Sequence, residues 1–266
     1  MLIAHISDSH LTCDGPQRED RMRDLRSCIA DINALDPQPG LVVHSGDIVD
    51  NGLEQEYDCA RQLLDALRAP YVVMPGNKDD RAGLLKAFAD RTMCADDAAF
   101  VQYALDAGPL RLIALDTLSG RSHKGDFCDA RLDHLEQLLA DSQDRPVAIF
   151  MHHPPYDVTE IPDPFQYESR EAVSRLVDVL KRHPRIAGIF CGHVHRLTNG
   201  GVADIPVSTV TCLAIDLRKG KYAPEARDRV IYQLHRFAPG DGFATETRLA
   251  DNRLGSENDA ERATAL

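Results

Sequence analysis

The sequence predicts an α/β fold in which helices cover the faces of a mostly parallel sheet, with a second sheet completing a layered αββα sandwich. Three observations lead there. Strand-like apolar runs alternate with helix-periodic segments over roughly the first 190 residues. From Val202 onward strand-like runs follow one another with no helix between them. The length of 266 residues suits one large domain, or a domain plus a small appendage, long enough to bury a sizeable core without staples.

Taken in order, Leu2 to Ile6 reads as a first strand. Met22, Leu25, Ile29 and Ile32 then form one stripe of a helix. Leu41 to Val43 is a second strand, and Tyr57, Ala60, Leu64 and Leu67 a second helical stripe. Tyr71 to Met74 is a strand stopped by Pro75-Gly76, and a short helix ends near Phe88. Phe100 to Leu105 and Leu110 to Leu115 predict a hairpin around Asp106-Ala107-Gly108-Pro109. Leu132, Leu135 and Leu139 mark a helix, Val147 to Met151 a strand, Val173 to Leu180 a helix, and Ile186 to Cys191 a strand. Four strands are expected at Val207–Val210, Leu213–Leu217, Val230–His235 and Phe243–Leu249. The domain is expected over residues 1–250. Residues 251–266 are polar and aperiodic and predict a loose tail.

The bulk properties exclude several functions. Thirty basic against forty-two acidic residues leave a formal charge of −12, a field that repels long DNA or RNA. No run of 18 apolar residues predicts a membrane span, and MLIAHISDSH reads as a strand and not as a signal peptide. The seven cysteines are odd in number and show no C-x-x-C spacing, which points to reduced thiols in a cytoplasmic protein.

Five groups of candidate ligands fall where a strand ends: Asp8-Ser9-His10, Gly46-Asp47, Gly76-Asn77, His152-His153 and Gly192-His193-Val194-His195. The carboxyl ends of strands in an open α/β sheet are where ligands bind, so these groups can converge on one site. Taken singly, such an Asp is more often a turn former and such a His a core residue; five groups together argue otherwise. Carboxylate, amide oxygen and neutral imidazole suit Mn, Fe, Co or Zn, and no thiolate is placed to make a structural zinc site. Two cations about 3.5–4 Å apart can share a bridging carboxylate, and a divalent metal lowers the pKa of water from 15.7 to about 7. The expected cofactor is therefore two divalent metal ions.

SDSH, GDIVDNG, GNKD, HHPP and GHVH, in this order, resemble the motifs of the calcineurin-like metallophosphoesterases. The resemblance covers residues 1 to about 215. It is greatest to the bacterial glycerophosphodiesterases and class III cyclic-nucleotide phosphodiesterases, through HSGDIVDNG, MPGNKDD, IFMHHPP and Ser122-His123-Lys124-Gly125. It implies a four-layer αββα metallophosphoesterase sandwich, with two mixed sheets flanked by helices. One metal would sit on Asp8, His10, Asp47 and His195, and the other on Asp47, Asn77, His152 and His193. Asp47, Asn77, Lys78 and His153 would form the catalytic set, with His153 standing behind its neighbour. Lys78 occupies the place of a family histidine that contacts phosphate. Lysine is protonated across neutral pH, whereas histidine titrates near 6.5, so Lys78 is expected to bind phosphate as a cation.

The implied activity is hydrolysis of a small phosphodiester: a glycerophosphodiester, a cyclic nucleotide or a related alkyl diester. A phosphomonoesterase and a non-catalytic scaffold are the alternatives. The resemblance also implies a homo-oligomer. His5 and His44 read as structural, His134, His183 and His235 as surface residues, and His123 as a loop residue near the site. For the stretch Pro154 to Glu168, with Tyr156, Phe165 and Tyr167, three roles stay open: lining the pocket, stacking on a base, or packing on another subunit.

Overall fold

The computed structural model describes residues 1–94 and 98–250; the predicted tail lies outside them. Strands β1 (Leu2–Ile6), β2 (Leu41–His44) and β3 (Tyr71–Val73) alternate with helices α1 (Arg18–Asn33), α2 (Glu54–Leu64) and α3 (Arg81–Phe88). Next come β4 (Tyr103–Ala107), β5 (Leu110–Leu115), α4 (Asp129–Asp141), β6 (Val147–Met151), α5 (Arg170–Lys181) and β7 (Ile186–Cys191). The chain continues through β8 (Thr198–Val202), β9 (Ile205–Thr209), the short α6 (Pro224–Arg227), β10 (Ile231–Ala238) and β11 (Gly242–Leu249). Local chemistry starts the helices where polar caps allow: the Asp80 carboxylate accepts from Gly83 N before α3, and Ser169 Oγ from Glu171 N before α5.

Two sheets form, in strand orders β11-β10-β1-β2-β3 and β4-β5-β6-β7-β9-β8. Strands β1 to β3 run parallel, as do β5, β6, β7 and β9. Side-chain alternation sorts the layers. Leu112, Ala114, Ala148, Phe150 and Phe190 point inward into the core shared with the first sheet and α1 to α3. Ile113, Leu115, Ile149, Met151 and Ile189 point outward, beneath Leu135 of α4 and Leu176 of α5. The result is the expected four-layer αββα sandwich.

Its second sheet has a different origin from the one expected. The strand-only stretch does not make that sheet; β4 to β7 do. The late strands are shared out, β8 and β9 extending the second sheet while β10 and β11 add to the first beside β1. The hairpin strand expected at Phe100–Leu105 runs instead from Tyr103 to Ala107, with Gly108 at φ +61° in the turn. The segment Leu213–Leu217 is not a strand. Its backbone serves β1, Leu213 N donating to Ser7 O at 3.0 Å and Ala214 N to Asp8 O at 3.3 Å, and it closes in a 3₁₀ turn at Ile215–Leu217. Strand β8, TNGGV, carries almost no β-propensity and is held by pairing with β9 and by the Thr198–Thr209 contact at 2.8 Å.

His235, expected at the surface, is fully buried. The pleat of β10 turns it into the space between the sheets, 4.0 Å from the Phe190 ring centroid. Its Nε2 meets His5 Nδ1 at 3.2 Å and its Nδ1 meets Thr245 Oγ1 at 2.8 Å, while His5 Nε2 reaches Ser45 Oγ at 2.8 Å. His5 and His44 are structural as expected, His44 pairing with Ser9 Oγ at 2.9 Å.

Burial lowers the pKa of His235 to about 3. Above the ordinary value of about 6.5 both folded and unfolded chains carry it neutral, so it adds no pH dependence. Below that value the unfolded chain binds a proton that the folded chain refuses, so stability falls as pH drops. Between pH 6.5 and 4.5 this one group should remove about 2–3 kcal/mol. His235→Gln should flatten the pH profile of denaturant unfolding by that amount. An unchanged profile would show that His235 is protonated in the folded protein.

Candidate metal centre

All five predicted ligand groups lie at the carboxyl ends of β1, β2, β3, β6 and β7, and the sandwich brings them together. Asp8, His10, Asp47 and His195 present ligand atoms that all lie within 4.8 Å of one another. The two oxygens of Asp47 face different imidazoles: Oδ2 lies 3.5 Å from His10 Nε2 and Oδ1 3.5 Å from His152 Nε2. Asp8 Oδ1 lies 3.2 Å from His195 Nε2 and 3.9 Å from His152 Nε2. His193 Nδ1 is 2.9 Å from Asn77 Oδ1. Asp8, Asp47, His10, His152 and His195 are buried, whereas Asn77, Lys78 and His193 are partly exposed at the mouth.

The loops that carry these groups are strained. Asp8, His10, Asp47, His193 and His195 all have positive φ, between 44° and 72°. Among the described residues only Met93, Gln143 and Ala203 share this property without being glycine. Each such conformation costs about 1–3 kcal/mol and persists where surrounding contacts over-determine it. Those contacts are present. Lys78 N donates to Asp47 Oδ1 at 2.8 Å and His193 N to Asp8 Oδ2 at 3.1 Å. Asp79 ties two loops together, accepting from Gly76 N at 2.8 Å and Ile48 N at 3.2 Å. Burial, with Asp47 nearby, raises the Asp79 pKa to about 7.

Glycines allow the close approach. A Cβ on Gly46 would lie 2.5 Å from Gly76 N and 2.8 Å from His152 Nδ1, and one on Gly192 2.6 Å from Asp8 Oδ2.

Outer partners set the tautomers. His10 Nδ1 lies 3.1 Å from Asp50 Oδ1, His195 Nδ1 3.0 Å from Leu217 O, and His152 Nδ1 2.9 Å from Ser45 O. Each partner can only accept, so each Nδ1 carries a hydrogen, and in the neutral ring each Nε2 turns a lone pair inward. His10 and His195 thus face one another Nε2 to Nε2 at 3.2 Å, and buried His152 Nε2 and Asp8 Oδ1 have no hydrogen-bond partner. Converging acceptors of this kind repel unless a cation or proton lies between them, so the donor set fits divalent metal. The electrostatics agree. Burial opposes charge on His10, yet Asp50, Asp8 and Asp47 outweigh it and raise its pKa to about 10. His152 and His195 are raised by Asp8 and Asp47 against burial, while Asp8 and Asp47 are held below the usual range by the imidazoles.

His153 differs from its neighbour. It is fully buried, with Nδ1 2.7 Å from Thr117 Oγ1 and Nε2 3.1 Å from His123 O. Both ring nitrogens have partners, so His153 supports the loop behind the site, although it also lies in a group with His152 and His193 whose ligand atoms are within 4.8 Å of one another. His123 does come to the mouth, Nδ1 lying 3.2 Å from Asn77 Nδ2. Lys78 Nζ lies 3.9 Å from Asp50 Oδ1.

The sequence reading missed four supporting groups. Asp50 and Asp79 sit inside quoted motifs, GDIVDNG and GNKD, and could have been flagged there. Cys212 Sγ belongs to a group with His10 and His195 and donates to Asp8 O at 3.0 Å, but nothing in its local sequence marks it. Gln166, whose Oε1 lies 2.9 Å from His193 Nε2, has no local signal either.

The model of the calcineurin-like phosphoesterase family matches residues 1–197. The chain belongs to that family. It is 38% identical over 205 residues to the glycerophosphodiester phosphodiesterase GpdQ of Enterobacter lignolyticus, covering 74% of this chain and 72% of that one. Its identity to the 3',5'-cyclic adenosine monophosphate phosphodiesterase CpdA of Pseudomonas aeruginosa is 25% over 246 residues, 90% of this chain and 83% of that one. Among solved structures, Plasmodium GAP50 shares the fold with a TM-score of 0.61 at 12% identity, over 94% of this chain and 85% of that one. The motifs of this phosphoesterase lie at strand ends of its two sheets.

Proposed function

We propose that this phosphoesterase is a dinuclear-metal phosphodiesterase acting on small diesters, with glycerophosphodiesters and cyclic nucleotides as the candidate substrates. The observation that carries the reading is the inward convergence of imidazole lone pairs on two buried carboxylates, one of which, Asp47, faces both halves of the site. Asp8, His10, Asp47 and His195 would hold one metal, and Asp47, Asn77, His152 and His193 the other. When bound, such a pair supplies Lewis acidity and hydroxide at neutral pH.

The protein's own groups do the rest. Asp50, Ser45 O and Leu217 O hold three imidazoles in the tautomer that leaves Nε2 free. Burial of both carboxylates keeps bulk water from screening their charge. Lys78, partly exposed at the mouth, offers a cation to a phosphate oxygen. Diesters should be cleaved at least about tenfold better in kcat/KM than matched monoesters, a difference near 1.4 kcal/mol. Assaying bis(p-nitrophenyl) phosphate beside p-nitrophenyl phosphate tests this; equal or inverted efficiency would assign a phosphomonoesterase.

Lys78→Ala should raise KM about tenfold, the loss of roughly one charge-assisted contact, while both metals stay bound. A variant with normal KM that is slow only on poor leaving groups would make Lys78 a proton donor instead. No helix among the described residues is long and apolar enough to cross a membrane, and the seven cysteines are free thiols. A reducing, cytoplasmic setting and a homo-oligomeric assembly complete the proposal.

A further inference from the structure

Three of the four imidazoles turn Nε2 inward, their Nδ1 atoms being held by Asp50, Ser45 O and Leu217 O. His193 is the exception. Its outer nitrogen is Nε2, which meets the side chain of Gln166 in the proline-rich segment after β6. We propose that Gln166 is the positioning residue of the second metal site: it sets the tautomer of His193 and makes that ligand depend on the 154–168 segment. The inference rests on the dinuclear reading above and extends it to a residue outside the motif set.

The geometry determines which atoms face each other. The Gln166 amide nitrogen donates to the Asp163 carbonyl, which can only accept. The amide oxygen is thereby turned to His193 Nε2, 2.9 Å away, and an oxygen there can only accept as well. His193 must therefore carry its hydrogen on Nε2. As a metal ligand the ring is neutral. A neutral ring protonated at Nε2 leaves Nδ1 as a lone pair, and Nδ1 faces Asn77 Oδ1 at 2.9 Å. The other three ligands show the reverse pattern, with Nδ1 outward and Nε2 inward. A His193 ring with its hydrogen on Nδ1 would present N–H to the site and could not bind metal.

Gln166 is itself held firmly. It is 7% exposed. Its carbonyl accepts from Gly125 N at 2.8 Å, and Glu168 N donates to Gly125 O at 2.8 Å, so two loops form a short ribbon beside the site. Lys124 Nζ donates to Phe165 O at 2.9 Å, and Ser119 and Ser122 both donate to Glu168 Oε1. The adjacent Tyr167 hydroxyl donates to His153 O at 2.9 Å. The proline-rich stretch thus acts here by carrying the outer partner of a ligand.

The test titrates Co²⁺ by calorimetry into full-length protein stripped with chelator, as wild type, Gln166→Leu and Gln166→Glu. Wild type should take two Co²⁺ per chain. Gln166→Leu, which removes the acceptor, should weaken one site about 10–100-fold and leave the other unchanged, while Gln166→Glu, which keeps it, should stay within about threefold of wild type. In ¹⁵N spectra of the stripped protein, the His193 resonance, assigned by its loss in His193→Asn, should report hydrogen on Nε2 in wild type and a mixture of tautomers in Gln166→Leu. Two unchanged sites in Gln166→Leu, or equal loss in Gln166→Leu and Gln166→Glu, would overturn the assignment. Fewer than two sites in wild type would instead overturn the dinuclear reading, and this inference with it.

Discussion

Asp47→Ala is expected to lower kcat/KM for a diester at least about a thousandfold, near 4 kcal/mol, and to empty most of one metal site. The size follows from position. Asp47 is 2% exposed, and its two oxygens face His10 and His152 separately, so its removal deprives both halves of the site at once. It also leaves four inward imidazoles with one buried carboxylate, Asp8, to balance any cation. The fold should survive, since Asp47 lies in a loop after β2 and its side chain is part of neither apolar core. Elemental analysis of the purified variant, alongside its far-UV circular dichroism, is the check. Two tightly held metals per chain in Asp47→Ala would end the bridging assignment.

Gly76→Ala should be nearly as damaging without removing any ligand. A Cβ at Gly76 would lie 2.8 Å from Asp47 Cγ and closer still to Asp47 Oδ1 and N. The backbone N of Asp47 cannot yield, because Asp47 already sits at φ 50° between two bonded loops. Overpacking of this kind costs about 1–3 kcal/mol of stability. Displacing the Asp47 loop by even about 1 Å should cost roughly a hundredfold in rate. Denaturant unfolding and steady-state kinetics measure the two losses separately. Rates within a factor of about three of wild type would mean that the Asp47 and Asn77 loops move freely, contrary to the strain argued here.

Most strand and helix segments and the candidate ligand groups at strand ends were readable because both are local. Period-2 and period-3.6 patterns at Leu2–Ile6, Val147–Met151 or Leu132–Leu139 need no partner to be recognised. Asp8, Asp47, Asn77, His152, His193 and His195 each follow a strand within a few residues, and strand ends are where an α/β sheet opens. Pairing was not readable. TNGGV gives no strand signal and becomes β8 because β9 offers it a ladder, while the apolar Leu213–Leu217 is bent into a turn by the bonds its amides make to Ser7 and Asp8, just past β1. His235 looked like a surface residue because a single strand does not say which of its faces will be covered.

The sequence by itself therefore determined the residue types of the site, their order and the strand ends that deliver them. Tertiary structure decided which nitrogen of each imidazole faces inward. That choice depends on an acceptor supplied from elsewhere in the chain: Asp50 for His10, Ser45 O for His152, Leu217 O for His195 and Gln166 for His193. It also separated His152, with Nε2 left free, from His153, with both nitrogens bound. A residue's identity fixes what it can donate or accept, but direction comes from neighbours that only folding brings within 3 Å or so.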